Sequence, residues 1–175
     1  MNYAIYGAGN YGNIFLKGFN DVQFTIHYFI DEYINLDQNQ KIPVKRISDL
    51  NVNENITVFI SIGLNCDSIE ILKIRKKLNS KGVNVIHTFA ETIDIFPDLI
   101  KSFKGNNILW MRKKATEMFN EVKTQKVISL LHDKHSKLLL SNFINFRKTF
   151  DYKYYTHPDS NIEYFPDDID WKCIY

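Results

Sequence analysis

The residues with the clearest chemical meaning stand near the start of the chain. Gly7-Ala8-Gly9-Asn10-Tyr11-Gly12 fits GxGxxG between the apolar run Tyr3 to Tyr6 and a helical pattern. Glycines at that spacing suit a diphosphate: Gly7 permits a tight turn, Gly9 lets an anion approach the backbone because no Cβ intervenes, and Gly12 lets the helix pack close on the strand. Free amides at the helix start, around Asn10 and Tyr11, then point at the anion, and the helix dipole favours it. Asp31 follows Gly12 by 19 residues, at the end of a second apolar run. There a carboxylate can accept from ribose hydroxyls or a base N–H and would repel a 2′-phosphate, which disfavours NADP.

A second glycine turn, Ser61-Ile62-Gly63-Leu64-Asn65, closes a later strand pattern on the same side of the expected sheet. Gly63 gives the turn, and Asn65 either hydrogen-bonds a ribose, sugar or phosphate or is simply a turn residue. Cys66 has no basic partner assignable from sequence and reads as a small half-buried residue rather than a nucleophile. His87, near a strand end, is the one candidate proton shuttle on the nucleotide side, although a strand-end histidine is more often structural. His132 and His135 would share a face if both were helical, yet no neighbouring Cys or Glu completes a metal set. Asp167, Asp168 and Asp170 resemble a paired-carboxylate site only in composition and read as a solvated strip or a contact for basic helices.

The elements that must position these groups alternate. Tyr3–Tyr6 reads as a strand, and Ile14, Phe15 and Phe19 mark a helix ending near Asn20. Phe24–Ile30 is a second strand, residues 32–55 a loop with a short extended piece at Ile42–Val44, and Thr57–Ile62 the clearest β run. Ile69, Leu72, Ile74 and Leu78 mark a helix closed by Lys81 and Gly82, and Val83–Phe89 supplies another strand. The expected fold class is α/β: a Rossmann-like, mostly parallel sheet over residues 1–98, followed by an α-helical extension over 99–150 and an aromatic, acidic tail or linker over 151–175. In the extension Met111, Ala115, Met118, Phe119, Val122, Leu131, Leu139, Phe143, Phe146 and Phe150 fall at helical spacing. Asp133 and Ser136 suit the N-terminal turn of the last helix. Pro158 and Pro166 argue for irregular structure in the tail.

Composition excludes several classes. The 175 residues are 45% apolar and 24% charged, with 22 Lys+Arg against 20 Asp+Glu, so neither compositional disorder nor a uniformly basic nucleic-acid binder is indicated. The charge is blocked, however: net −2 over residues 1–98, +8 over 99–150 and −4 over 151–175. The basic block raises nucleic acid as a partner, but a solvated lysine face is the simpler reading. Cys66 and Cys173 are far apart and form no CxxC, which argues against a disulfide scaffold or a structural zinc site. No apolar stretch approaches a membrane span and no leader pattern opens the chain, so the expected location is cytoplasmic.

Several of these segments resemble known proteins. Ile5 to Gly12, Phe29-Ile30-Asp31, Ile42-Pro43-Val44 and Phe59-Ile60-Ser61-Ile62-Gly63 resemble Rossmann-like N-terminal domains that precede sugar-modifying enzymes in bacterial glycan biosynthesis, several of which bind a nucleotide sugar. Leu130 to Ser136, Phe146-Arg147, Asp151 to Tyr155 and Tyr164-Phe165-Pro166 resemble the helical region ahead of the catalytic domain in FkbM-type methyltransferases. In that family the Phe-Pro element leads into a strand and an acidic, glycine-rich turn that binds S-adenosylmethionine (SAM). Here the sequence stops at Tyr175 without one, so the resemblance implies an N-terminal portion whose catalytic domain, and whose SAM, lie elsewhere. The expectation is a nucleotide-diphosphate ligand, a nucleotide sugar first, bound through Gly7, Gly9, Asn10, Tyr11, Gly12, Asp31, Gly63 and Asn65, with no catalytic or metal residues assigned. The competing reading is an NAD-dependent oxidoreductase or NAD-binding module. The aromatic Tyr152, Tyr154 and Tyr155 would stack on a sugar or on a second subunit, and the helical extension would carry a homodimer.

Overall fold

The computed structural model describes residues 1–34, 41–51, 55–62, 68–103 and 119–155. Its strands are β1 (Asn2–Tyr6), β2 (Tyr28–Ile30), β3 (Val44–Lys45), β4 (Ile56–Ile60) and β5 (Val85–His87), and its helices α1 (Asn10–Asp21), α2 (Ser68–Ser80), α3 (Phe89–Ile95), α4 (Glu121–Leu130) and α5 (Lys134–Thr149). The strands form one sheet in the order β3-β2-β1-β4-β5. Every pairing is parallel, with Ile5 opposite Phe29 on one side and opposite Phe59 on the other. This is the α/β, Rossmann-like sheet that the alternating pattern predicts. The chain runs outward from β1 through β2 to β3 and then returns to β4 beside β1. The carboxyl ends of β1 and β4 therefore flank the point where the winding reverses, the place where ligands sit in open α/β sheets.

Phe15 and Phe19 stand one turn apart on α1; Phe19 lies over Phe59 of β4 and reaches Phe96, and Phe15 reaches Phe89, with Phe19–Phe59 at 4.9 Å and Phe15–Phe89 at 5.0 Å between ring centres. Such ring pairs add about 0.5–1.5 kcal/mol each beyond area burial. Gly18 brings α1 against a 3-10 turn at Pro97–Ser102, because a Cβ there would stand 2.7 Å from Leu99 Cδ2. Leu99 and Phe103, and also Phe146, Phe150 and Tyr152 from the end of α5 and beyond, are buried in the same cluster as the sheet.

Local signals explain most boundaries. Gly82 takes φ +80° just past α2, and the Asp133 side chain accepts from Ser136 N–H at 2.7 Å to start α5. Elsewhere the structure departs from the expectations. The second strand is only Tyr28–Ile30: His27 N–H still bonds Tyr3 C=O, but Tyr3 N–H goes to the His27 ring and Phe24 N–H back to Phe19 C=O, so the ladder does not extend to residue 24. Phe89 opens α3 instead of ending a strand: Thr88 and Glu91 form a reciprocal capping box that starts a helix there. On α2 the buried stripe is Ile71, Ile74 and Leu78, and Ile69 and Leu72 are exposed. Val122 and Phe143, expected on an apolar stripe, are likewise exposed. Tyr152 is fully buried, set edge-on to Phe146 at 5.3 Å, and so is core rather than a stacking surface. Met111, Ala115, Met118, Pro158, Pro166 and Tyr164-Phe165-Pro166 lie outside the described residues.

Candidate ligand cleft

The glycine turn forms because β1 must pass directly into α1. Gly7 takes φ +95°, a conformation costly for any side chain, and donates its N–H to Ile30 C=O at 2.8 Å. A Cβ on Gly12 would lie 1.8 Å from Gly7 O, so this position admits glycine only. A Cβ on Gly9 would meet nothing within 4 Å. The backbone at Gly9 thus faces open space, as an approaching anion requires.

Gly9 is also the N-cap of α1, with no side chain capping the helix and no acid in its first turn. The first helical bond runs from Asn13 N–H to Gly9 C=O at 3.0 Å, which leaves the amides of Asn10, Tyr11 and Gly12 without a partner inside the helix. Asn10 is exposed, whereas the Tyr11 ring turns inward, 6.1 Å from Phe103 and nearly parallel to it. Tyr11 is partly buried, with its ring packed on the core and its amide at the start of α1.

Asp31 stands where the spacing predicts, at the end of β2, but its carboxylate is turned into the protein. Oδ2 accepts from Ala8 N–H at 2.8 Å, and Oδ1 from Tyr33 N–H at 2.8 Å and Ile34 N–H at 2.9 Å. One buried carboxylate therefore pins the glycine turn to the loop after β2, and backbone amides are strong partners for that charge. Four further side chains complete the brace: Ser61, the first residue of the second glycine turn, and Arg46, Glu32 and Asn13, none of which was singled out from the sequence. Arg46 donates to Asp31 C=O and Ile34 C=O, and Glu32 accepts from Ile47 N–H at 2.8 Å. Asn13 donates to Ala8 C=O and Gly9 C=O, each at 3.0 Å, and Ser61 Oγ donates to Tyr6 C=O at 2.8 Å. Asn13 was discoverable as an amide one turn into the helix; the Arg46 and Glu32 contacts join distant segments and leave no local signal.

These ends of β1 and β2 open on a cleft of about 640 Å³, shared with Ile62 after β4 and with α2. Of the glycine turn Gly7 borders it, whereas Gly9, Asn10, Tyr11 and Gly12 are not among its lining residues; Asp31, the exposed Tyr33 and Ile69, and Lys73, Lys76 and Lys77 of α2 line it too. Tyr6 lines it as well. Burial first, and then the carboxylates of Glu32 and Asp31 and the Tyr33 phenol, push the Tyr6 phenol well above its ordinary range, so it stays a neutral O–H.

The other singled-out groups sit apart from this cleft. His87 stacks on Phe59 at 5.5 Å, and burial holds its imidazole below the ordinary value. Its ring is thus packed with the aromatic layer under α1 rather than facing Gly7. His132 precedes the Asp133 cap of α5 while His135 lies in the first turn, so the two do not share a helix. Among the described residues no three His, Cys, Asp or Glu side chains are grouped to hold a metal. Gly63, Asn65, Cys66, Cys173, Asp167, Asp168 and Asp170 lie outside the described residues. Within those residues, no helix is long and apolar enough to cross a membrane. No family, curated protein or solved structure matches the chain.

Proposed function

We propose that the chain is a binding module for a nucleotide diphosphate, with a nucleotide sugar as the preferred ligand. The observation that carries this reading is the uncapped start of α1, with Gly9 facing open space and the turn held rigid by the Asp31 carboxylate beside a cleft at the winding reversal. In this reading the amides of Asn10, Tyr11 and Gly12 hold the diphosphate. Asp31 acts first by fixing the turn, and its one remaining lone pair, on Oδ2, serves the ribose. Tyr33 and Ile69 flank the base, offering one aromatic and one aliphatic surface to a planar ring.

The resemblance to sugar-modifying enzymes supports placing the module at the N-terminal side of an FkbM-type methyltransferase of bacterial glycan biosynthesis, working in the cytoplasm and presenting substrate. The exposed Val122, Leu130 and Phe143 of α4 and α5 support a homodimer through the helical extension. NAD is the second reading, since it fits the same turn and the same Asp31. The position of His87 against Phe59, away from the cleft, favours the sugar-nucleotide reading over hydride transfer assisted by that histidine.

Calorimetric titration of the purified chain with UDP-glucose, GDP-mannose, NAD and SAM separates these readings. Binding of a sugar nucleotide alone is the expected result. Binding of NAD alone transfers the site to the dinucleotide reading, and binding of SAM places the methyl donor within this chain. Silence from all four removes the nucleotide function.

A further inference from the structure

The α2 wall of the cleft has a chemistry that a plain nucleotide diphosphate does not use. Lys73, Lys76 and Lys77 stand at i, i+3 and i+4, so they project from one side of the helix onto the same space that Gly7 borders. All three are exposed, and among the described residues none has an acidic partner within ion-pair distance. Among the described residues Glu70 is the one acid of that wall, against three cations. The carboxylates of Asp31 and Glu32 on the opposite wall keep their charge, but backbone amides hold them in place, and among the described residues neither forms an ion pair with a lysine of α2. A diphosphate seated on the α1 amides would be satisfied there without the lysines.

We propose that this wall is an anion subsite and that the ligand carries a second negatively charged group, beyond its diphosphate, which Lys73, Lys76 and Lys77 bind. Lysine suits such a subsite, since an ammonium on a flexible stem meets a carboxylate or phosphate without the fixed fork geometry of arginine. The inference rests on the nucleotide reading above. Two chemistries supply such a group, a carboxylate on the sugar of a nucleotide sugar or an additional phosphate on the nucleoside.

The test is calorimetric titration of the full chain with two pairs of ligands that differ only in that anion or by little else: UDP-glucose against UDP-glucuronate, and NAD against NADP. The acidic member of one pair binds about ten-fold more tightly, the effect of two or three exposed ion contacts of modest strength. That preference disappears in Lys73→Gln/Lys77→Gln and reverses in Lys73→Glu/Lys77→Glu, and raising salt weakens it. The pair that shows it assigns the anion to the sugar or to the nucleoside. Equal affinities within both pairs, or a preference that survives the lysine substitutions, overturn the subsite while leaving the nucleotide reading intact. If all four ligands fail to bind, both inferences fall together.

Discussion

Gly9→Val separates binding from folding at a single position. The Cβ points into space with nothing within 4 Å, and Gly9 has φ −73° and ψ −158°, an extended conformation whose φ is ordinary for an L-residue. Folding therefore meets no clash. Valine is a poorer N-cap than glycine, a cost of up to about 1 kcal/mol, while loss of glycine's freedom in the unfolded chain returns about 0.4–1 kcal/mol. The net change is under about 1 kcal/mol, or a shift in Tm of roughly 2–4 °C at most for a chain of this size. Binding behaves differently, because two branched methyls now occupy the space an anion needs to reach the α1 amides. Losing two charge-assisted hydrogen bonds at about 1.5–3 kcal/mol each lowers nucleotide affinity by about a hundred-fold or more. Thermal melting and calorimetry on the same sample measure both quantities. An unchanged affinity would refute the reasoning by removing the glycine turn from the site; a fall in Tm of tens of degrees would show that Gly9 is needed for folding instead.

Gly12→Ala should do the reverse, since its Cβ would sit 1.8 Å from Gly7 O and backbone must move. Overpacking typically costs about 1–3 kcal/mol, and a clash with backbone belongs at or above the upper end, so chemical denaturation should show a clear loss of stability. Asp31→Asn keeps an acceptor for Tyr33 and Ile34 but turns an amide NH₂ toward Ala8 N–H. Leaving that buried donor unpaired costs about 1–3 kcal/mol, read as a lower Tm, and an unchanged Tm would contradict the pinning role. His87 makes stability depend on pH. Its folded value is lowered by burial, so the unfolded state binds the extra proton, and stability falls as pH drops below about 6.5 before levelling under the folded value. Melting curves between pH 7.5 and 5 should therefore fall more steeply for the native protein than for His87→Phe, and parallel curves would refute the assignment.

The fold is legible because its signals are local. The glycine spacing, Gly82 after α2 and the Asp133 cap each act within a few residues and appear where the sequence pattern puts them, and the apolar run expected at Thr57–Ile62 forms β4 over Ile56–Ile60, two residues short at its end. Phe89 misleads because an aromatic residue after a β-branched run suits a strand, while the Thr88–Glu91 capping box that overrides it spans only four residues. The α2 stripe shifts because Ile69 and Leu72 are as apolar as Ile71, and only packing decides which side is buried. In the candidate site, the placement of Asp31 beside the turn is readable from spacing. The direction of its carboxylate is not, because it depends on Ala8, Tyr33 and Ile34 presenting amides together once the sheet has formed. The cleft lysines are hidden for a similar reason: on α2 they read as an ordinary solvated face, and only the tertiary fold brings them to the same cleft as Gly7.

Nitrogen-15 chemical-shift mapping of the full chain during titration with UDP-glucose tests the central claim most directly. The account predicts saturable shifts concentrated at the amides of Gly7 to Gly12 and at Tyr33 and Ile34, where the turn and its carboxylate brace meet the cleft. Saturable shifts confined to other surfaces, such as α4 and α5, with the glycine-turn amides unmoved would contradict it.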